Sequence, residues 1–218
     1  MLTKEPQTID WLNTLEDRQI FWDIGANIGT FSLYAASVRS ATVNSFEPIA
    51  STYALLVENI LVNKLDAQIS PYCLAFTDHT GIGTWYVEQR HRPSRDAGSS
   101  DHRIDSSTNI KEIPNQYGSK LSIFCYTIDD FIEHCSLKIP SHIKIDVDGG
   151  ECNILRGAQR VLRSEFLRSI LVEIDETDTS SARDIVNILN DTGFHLETKV
   201  PLKGGTMNTM FNYVFWKR

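Results

Sequence analysis

The chain has 218 residues, of which 41 % are hydrophobic and 22 % charged, with a formal net charge of -7 and four cysteines. That length suits one domain with a sizeable core, and the negative balance argues against nonspecific binding to a phosphate backbone and for a small-molecule partner. No apolar run approaches the ~20 residues of a membrane span, and the start, "MLTKEPQTIDW", lacks a secretory h-region, so a cytoplasmic, non-membrane protein is expected.

From residue 20 onward short apolar runs alternate with helical stretches, the pattern of a parallel sheet covered on both faces. "QIFWDI" reads as a first strand and "GTFSLYAASV" as its helix; "ATVNSF" is a second strand, ended by "EP". In "STYALLVENILVN", Tyr53, Leu56, Val57 and Ile60 recur at helical spacing and predict one buried stripe. "AQISPYCLAF" predicts a third strand, and "TDHTG" turns the chain into another, "IGTWYV".

Residues 88 to 118 are polar, hold Pro, Gly and Ser, and show no period; they read as an insertion in the single domain 1–218 and a candidate substrate lid. The pattern resumes with "LSIFCYTIDDFIEHC", the strand "HIKIDV", and a helix from about Gly150 whose Ile154, Ala158, Val161 and Leu162 share a face. "SILVEI" is a further strand, and "SARDIVNILNDTG" a helix with a Ser181/Asp184 capping-box spacing and Gly193 as its stop. "FHLETKV" and "NTMFNYVFWKR" are too close for a helix between them, so they pair antiparallel and close a mostly parallel sheet. Cys73, Cys125, Cys135 and Cys152 form no CxxC pair and are expected to be small buried apolar residues.

In "FWDIGANIGTF" a strand runs into a glycine turn and a helix, which presents free backbone N–H groups to a polar ligand. Asn27 and Thr30 stand where a pyrophosphate-binding GxGxxG loop carries its second and third glycines, which argues against NAD or FAD. Glu47, about twenty residues on at the end of the second strand, is placed to bind ribose hydroxyls, so a nucleoside ligand without pyrophosphate is indicated. The plainer alternative is that Asp23 and Gly25 shape a turn and Glu47 caps the next helix.

In "HIKIDVDGGE" His142, Lys144 and Asp146 alternate onto one face of a strand that should be apolar on both. "LVEID" repeats the pattern with Glu173 and Asp175, and a buried Lys144 would need Glu173 or Asp146 as its partner.

Together "DIGANIGTFSLYAA", "FEPIASTYALLVENILVN", "LAFTDHTGIGTWYV", "YTIDDF", "IKIDVDGGECNILRGAQRVL" and "ILVEI" resemble the FkbM-type S-adenosylmethionine-dependent methyltransferases over about residues 20 to 175. The resemblance implies a class I methyltransferase fold, a Rossmann-like, doubly wound α/β sheet of seven mostly parallel strands with the C-terminal antiparallel hairpin. It implies methylation of a hydroxyl, on a carbohydrate or other natural product, with S-adenosyl-L-methionine as cofactor. Carried over by position, Asp23, Gly25, Ala26, Asn27 and Gly29 would line the methionine end of the cofactor, Glu47 would hold the ribose with Pro48 and Ile49 nearby, and Ala75 and Phe76 would border the adenine. This chain departs from the family in reading "DVDGGE" for "DVEGAE" and in a short segment before Asp23, which leaves the pocket more open or lets Trp11 and its neighbours cover it.

Transfer of a methyl group to oxygen requires the hydroxyl to lose a proton, and Asp146, Asp148 and Glu151 are the candidate bases, with His91 and His102 of the insertion as alternatives. Asp146 and Asp148 could instead hold a divalent metal, and Glu151 could serve only the dipole of its helix. "RHRPSR", residues 90 to 95, would recruit an anionic sugar or be a solvated loop, since residues 88 to 118 hold five acidic and five basic side chains; "DAGSSDH" is a weaker sugar-binding candidate. The competing functions are an NAD-dependent oxidoreductase of Rossmann type and a non-catalytic nucleoside-binding module. The expected partner is a small-molecule sugar or glycosylated natural product, with no nucleic acid and no membrane.

Overall fold

A computed structural model describes residues 5–88, 103–105, 117–147, 149–202 and 209–217. In chain order the elements are α1 (Pro6–Leu12), β1 (Ile20–Ile24), α2 (Thr30–Arg39), β2 (Thr42–Phe46), α3 (Ala50–Val62), β3 (Ile69–Tyr72), β4 (Ala75–Phe76), β5 (Gly81–Glu88) and β6 (Arg103–Asp105). They continue as β7 (Tyr117–Tyr126), α4 (Ile128–Cys135), β8 (His142–Ile145), α5 (Glu151–Arg156), α6 (Gln159–Arg163), β9 (Ser169–Asp175), α7 (Thr179–Asp191), β10 (Phe194–Pro201) and β11 (Met210–Lys217).

Seven strands form the main sheet in the order β10-β11-β9-β8-β1-β2-β3. Only β11 runs against its neighbours, pairing antiparallel with both β9 and β10, as the C-terminal hairpin requires. The alternation of side chains divides the core in two. Trp22, Ile24, Ile143, Ile145 and Val172 face a cluster with residues of α4 to α7, while Phe21, Val43, Leu171 and Val214 face Trp11, Leu12, Ala35, Ala36 and Leu56. The doubly wound α/β architecture read from the sequence is therefore the observed one, and the α3 stripe buries Leu56 and Ile60 most deeply.

Several expectations need correction. The third strand ends at Tyr72: β3 pairs with β2, whereas Ala75 and Phe76 leave the main sheet and pair parallel with Cys125 and Tyr126 in a second sheet, β4-β7-β5-β6. Both halves bury apolar side chains, so the sequence pattern runs through the break unchanged. The single helix expected from Gly150 is two short ones, because Gly157 lies so near Thr77 that a Cβ there would sit 2.2 Å from the Thr77 carbonyl oxygen. Helix α7 starts earlier than expected: Asp178 is its N-cap and accepts from the Ser181 N–H, while Asp184 instead meets Arg156 at 2.9 Å. Of the cysteines, Cys125 and Cys152 are buried as expected, but Cys73 and Cys135 are exposed.

Trp11 is buried at the N-terminal ends of the parallel strands, donating from Nε1 to Ser169 Oγ at 2.9 Å and packing edge-on against Phe21 and His142. It therefore packs at the end of the sheet opposite the Gly25 turn. Most of the insertion expected at 88–118, with His91, His102, the basic run 90–95 and the candidate lid, lies outside the described residues; β5 and β7 extend into it and β6 pairs with β5. Among the described residues no helix is long and apolar enough to cross a membrane.

Candidate active site

The turn after β1 is clamped between its neighbours. Gly25 N–H and Ala26 N–H donate to the Phe46 carbonyl of β2 at 3.0 and 2.9 Å, and Asp146 N–H, just past β8, donates to Ile24 at 3.1 Å. Gly25 has φ +80°, and a Cβ on it would lie 1.7 Å from the Asp146 carbonyl oxygen, so both its dihedral and its surroundings demand glycine. Asn27 takes φ 51°, a left-handed conformation that asparagine tolerates, which is how the loop turns where the dinucleotide pattern has glycine. Gly29, at φ +92°, lets the start of α2 approach α3, where a Cβ would meet Leu56 Cδ1 at 2.5 Å.

Glu47, just past β2, is buried and ties this turn to the next one: Oε2 accepts from Asn27 N–H and Oε1 from Ile49 N–H, each at 3.0 Å. Pro48 and Ile49 carry the chain into α3, and the Pro48 carbonyl accepts from the Cys73 thiol at 3.7 Å. Ala75 and Phe76 are both buried, and the Phe76 ring stacks on Trp22 and meets Phe46 and Phe131 edge-on. Its side chain thus belongs to the core.

Strand register assembles a polar layer along the C-terminal crest of the parallel strands. Asp23 pairs with Ser45 on one side and Lys144 on the other. Two residues further along the strands, on the same face, stand Glu47, Gly25, Asp146 and Glu173, and Glu173 pairs with Asn212 of β11. Asp23 is fully buried; Ser32 Oγ donates to its Oδ2 at 2.6 Å, Ser45 Oγ donates to Ser32 Oγ at 2.7 Å, and Oδ1 has no partner among the described residues. Burial pushes the Asp23 carboxyl above its ordinary value, and the Lys144 ammonium and the Ser32 hydroxyl pull it part of the way back.

Lys144 is only 1 % exposed, yet it stays protonated. Burial alone would discharge it, but Asp146, Asp23 and Glu5 around it outweigh that effect. Its Nζ contacts Asp146 Oδ2 and lies 4.9 Å from the centre of the Phe31 ring. Burial pushes the Asp146 carboxyl up, but the Lys144 charge and hydrogen bonds from Lys144 and Glu173 hold it below the usual carboxylate range. Burial, followed by the Asp146 charge, pushes the Glu173 carboxyl up to about 10.

The expected partnership of Lys144 with Asp146 is therefore present, and Glu173 joins it through Asp146. Glu151 folds back on its own turn: Oε1 accepts from Gly149 N–H and Oε2 from Gly150 N–H, each at 3.0 Å, at the start of a six-residue helix. Asp148, named both as a base and with Asp146 as a metal ligand, lies outside the described residues. Among the described residues no three His, Cys, Asp or Glu side chains group as a metal would require.

Two contributors escaped the sequence reading. Glu5 Oε2 accepts from Thr8 Oγ1 at 2.9 Å and from Asn212 Nδ2 at 3.1 Å, bringing the start of α1 to the polar layer. The only available signal was Asn212, an amide in the otherwise apolar run "MFNYVFW".

Residues 23–196 match the family model described as the Methyltransferase FkbM domain. The hexuronic acid methyltransferase AglP of Haloferax volcanii is 24 % identical over 188 residues, which span 85 % of this chain and 67 % of that protein. The 31-O-demethyl-FK506 methyltransferase FkbM of Streptomyces tacrolimicus is 23 % identical over 210 residues, 88 % of this chain and 79 % of that one. The crystal structure of a methyltransferase FkbM from Methylobacillus flagellatus KT superposes with a TM-score of 0.61 at 17 % identity, covering 93 % of this chain but 44 % of that chain.

Proposed function

The chain belongs to the FkbM methyltransferase family, and from that premise we propose that it is an S-adenosylmethionine-dependent O-methyltransferase acting on a hydroxyl of a carbohydrate or other natural product. The observation that carries the reading is the crest itself, where Glu47 and Asp146 stand on either side of the Gly25 turn on one face of the sheet. Strand ends of open α/β sheets are where ligands bind, and here the Lys144 ammonium faces carboxyl groups from Asp146, Asp23, Glu5 and Glu173. Such a surplus of acid suits a ligand with a sulfonium and an ammonium. The unpartnered Oδ1 of buried Asp23 fits it as well.

Asp23, Gly25, Ala26, Asn27 and Gly29 would hold the methionine end, Glu47 the ribose beside Pro48 and Ile49, and Ala75 and Phe76 the adenine. When bound, the cofactor supplies an electrophilic methyl group. Asp146, kept ionised by Lys144, accepts the proton of the acceptor hydroxyl; Asp148 follows two residues on in the sequence, and Glu151 holds the Gly149–Gly150 turn after it. The relatives named for hexuronic acid and for an FK506 oxygen support an oxygen acceptor on a sugar or polyketide-like molecule.

Calorimetric titration with S-adenosylhomocysteine and with NAD tests the cofactor assignment. The former is expected to bind at micromolar level and to weaken at least about tenfold in Glu47→Ala, since a lost hydrogen bond to a charged group is worth ~1.5–3 kcal/mol; tight NAD binding overturns the reading. Incubation with methyl-labelled cofactor and a panel of sugars and glycosides tests the chemistry. Asp146→Asn is expected to lower the turnover by about 10²- to 10⁴-fold while S-adenosylhomocysteine still binds.

A further inference from the structure

Three side chains without exposed surface meet just short of the Gly25 turn: Asp23 of β1, Ser45 at its register position on β2, and Ser32 in the first turn of α2. The same side of the sheet is otherwise apolar, lined by Phe21, Val43, Ala35, Ala36 and Leu56. A buried hydroxyl costs stability unless it is hydrogen-bonded, and these two direct their protons the same way. Ser45 Oγ donates to Ser32 Oγ at 2.7 Å, and Ser32 Oγ donates to Asp23 Oδ2 at 2.6 Å. The chain of hydroxyls ends on one oxygen of the carboxylate. The other, Oδ1, is buried as deeply and has no hydrogen-bond partner among the described residues.

We infer that Ser32 and Ser45 are positioning residues for the cofactor: they occupy Oδ2 of Asp23 from inside the protein and leave Oδ1 as the oxygen that receives the ammonium of the methionine end. This inference rests on the assignment of Asp23 to that end of S-adenosylmethionine. A serine near the start of a helix can return its proton to the preceding carbonyls of its own chain. Ser45, donating into Ser32 Oγ, holds that hydroxyl turned towards β1 instead. A carboxylate oxygen that is already fixed and out of water needs no further ordering when it meets a cation, so the two hydroxyls act on affinity without touching the ligand.

The amino-acid end of the cofactor makes this role separable from a merely structural tie between α2 and β1. Methylthioadenosine has the nucleoside and the thioether of S-adenosylhomocysteine but neither its ammonium nor its carboxylate, and calorimetric titration of the full chain with each compound reads the two ends apart. Ser32→Ala is expected to weaken S-adenosylhomocysteine about tenfold and methylthioadenosine by less than about twofold. Ser45→Ala keeps the last hydrogen bond but frees its donor to turn, and is expected to weaken S-adenosylhomocysteine about threefold with the same selectivity. Equal losses for the two compounds in Ser32→Ala overturn the inference, and so does unchanged S-adenosylhomocysteine binding. Should Ser32→Ala not fold, Ser45→Ala decides: a loss confined to S-adenosylhomocysteine upholds the inference, and an equal loss or none overturns it. Asp23→Asn is expected to lose at least as much S-adenosylhomocysteine affinity as Ser32→Ala, and retention of full affinity there also sinks the inference. Failure of the cofactor assignment itself shows differently, as an unmutated protein that binds no S-adenosylhomocysteine.

Discussion

Gly25 has space for a hydrogen and nothing larger. The atom that a methyl group would strike is backbone, the Asp146 carbonyl, which cannot rotate aside, and the positive φ adds strain for any other residue. Gly25→Ala is expected to destabilise the fold by more than about 3 kcal/mol in urea titration and to abolish S-adenosylhomocysteine binding, because the turn and the start of the Asp146 loop must separate. At this scale the placement of the polar layer was legible: Asp23, Glu47 and Asp146 each lie at or just past the end of a strand, and strand ends can be read from alternation and turn residues. Glu5 and Asn212 were not, since they lie 207 residues apart and meet only because β11 is inserted beside β9. Glu151 was legible in position but not in partner, since both its oxygens are taken by its own turn.

Helix α6 begins without a capping side chain of its own, Ala158 being its N-cap. Asp129 of α4 does the work from outside, accepting from Arg160 N–H at 2.8 Å and Val161 N–H at 3.0 Å, while its own N–H donates to the Gly157 carbonyl. Asp129→Ala is therefore expected to cost about 2 kcal/mol in chemical denaturation, at the upper end for a lost cap, although Asp129 lies in a different helix. Nothing local in the sequence announces such a cap, and the same is true of the division between α5 and α6. The apolar positions Ile154, Ala158, Val161 and Leu162 are all buried as one stripe would be, so the periodicity is right and the continuity is not. The split of β3 from β4 has the same origin: burial on both sides of Cys73 hides a change of sheet.

Helix α1, strands β8 and β9 and the residue before β1 are tied together at the opposite end of the sheet from the crest. Gln19 Oε1 only accepts, so His142 Nε2 carries the ring proton that it receives; Ser169 Oγ accepts from Trp11 and donates to the bare Nδ1. Burial, with Arg168 nearby, lowers the His142 pKa to about 4 from an unfolded value of 6.5. The unfolded chain thus takes up this proton first, so the stability His142 contributes is complete above pH 6.5 and is lost as pH falls to about 4, a change of ~3 kcal/mol. Glu173 runs the other way, its contribution fading as pH rises from about 4.5 towards 10. Denaturation midpoints measured from pH 7 to 4 are expected to fall less steeply in His142→Asn than in the unmutated protein. The position of β11 between β9 and β10 also fixes an order of events during synthesis. Strand β9 can acquire its second neighbour only after β11 has been made, so a chain that stops short of Met210 leaves the β9 edge of the sheet unpaired.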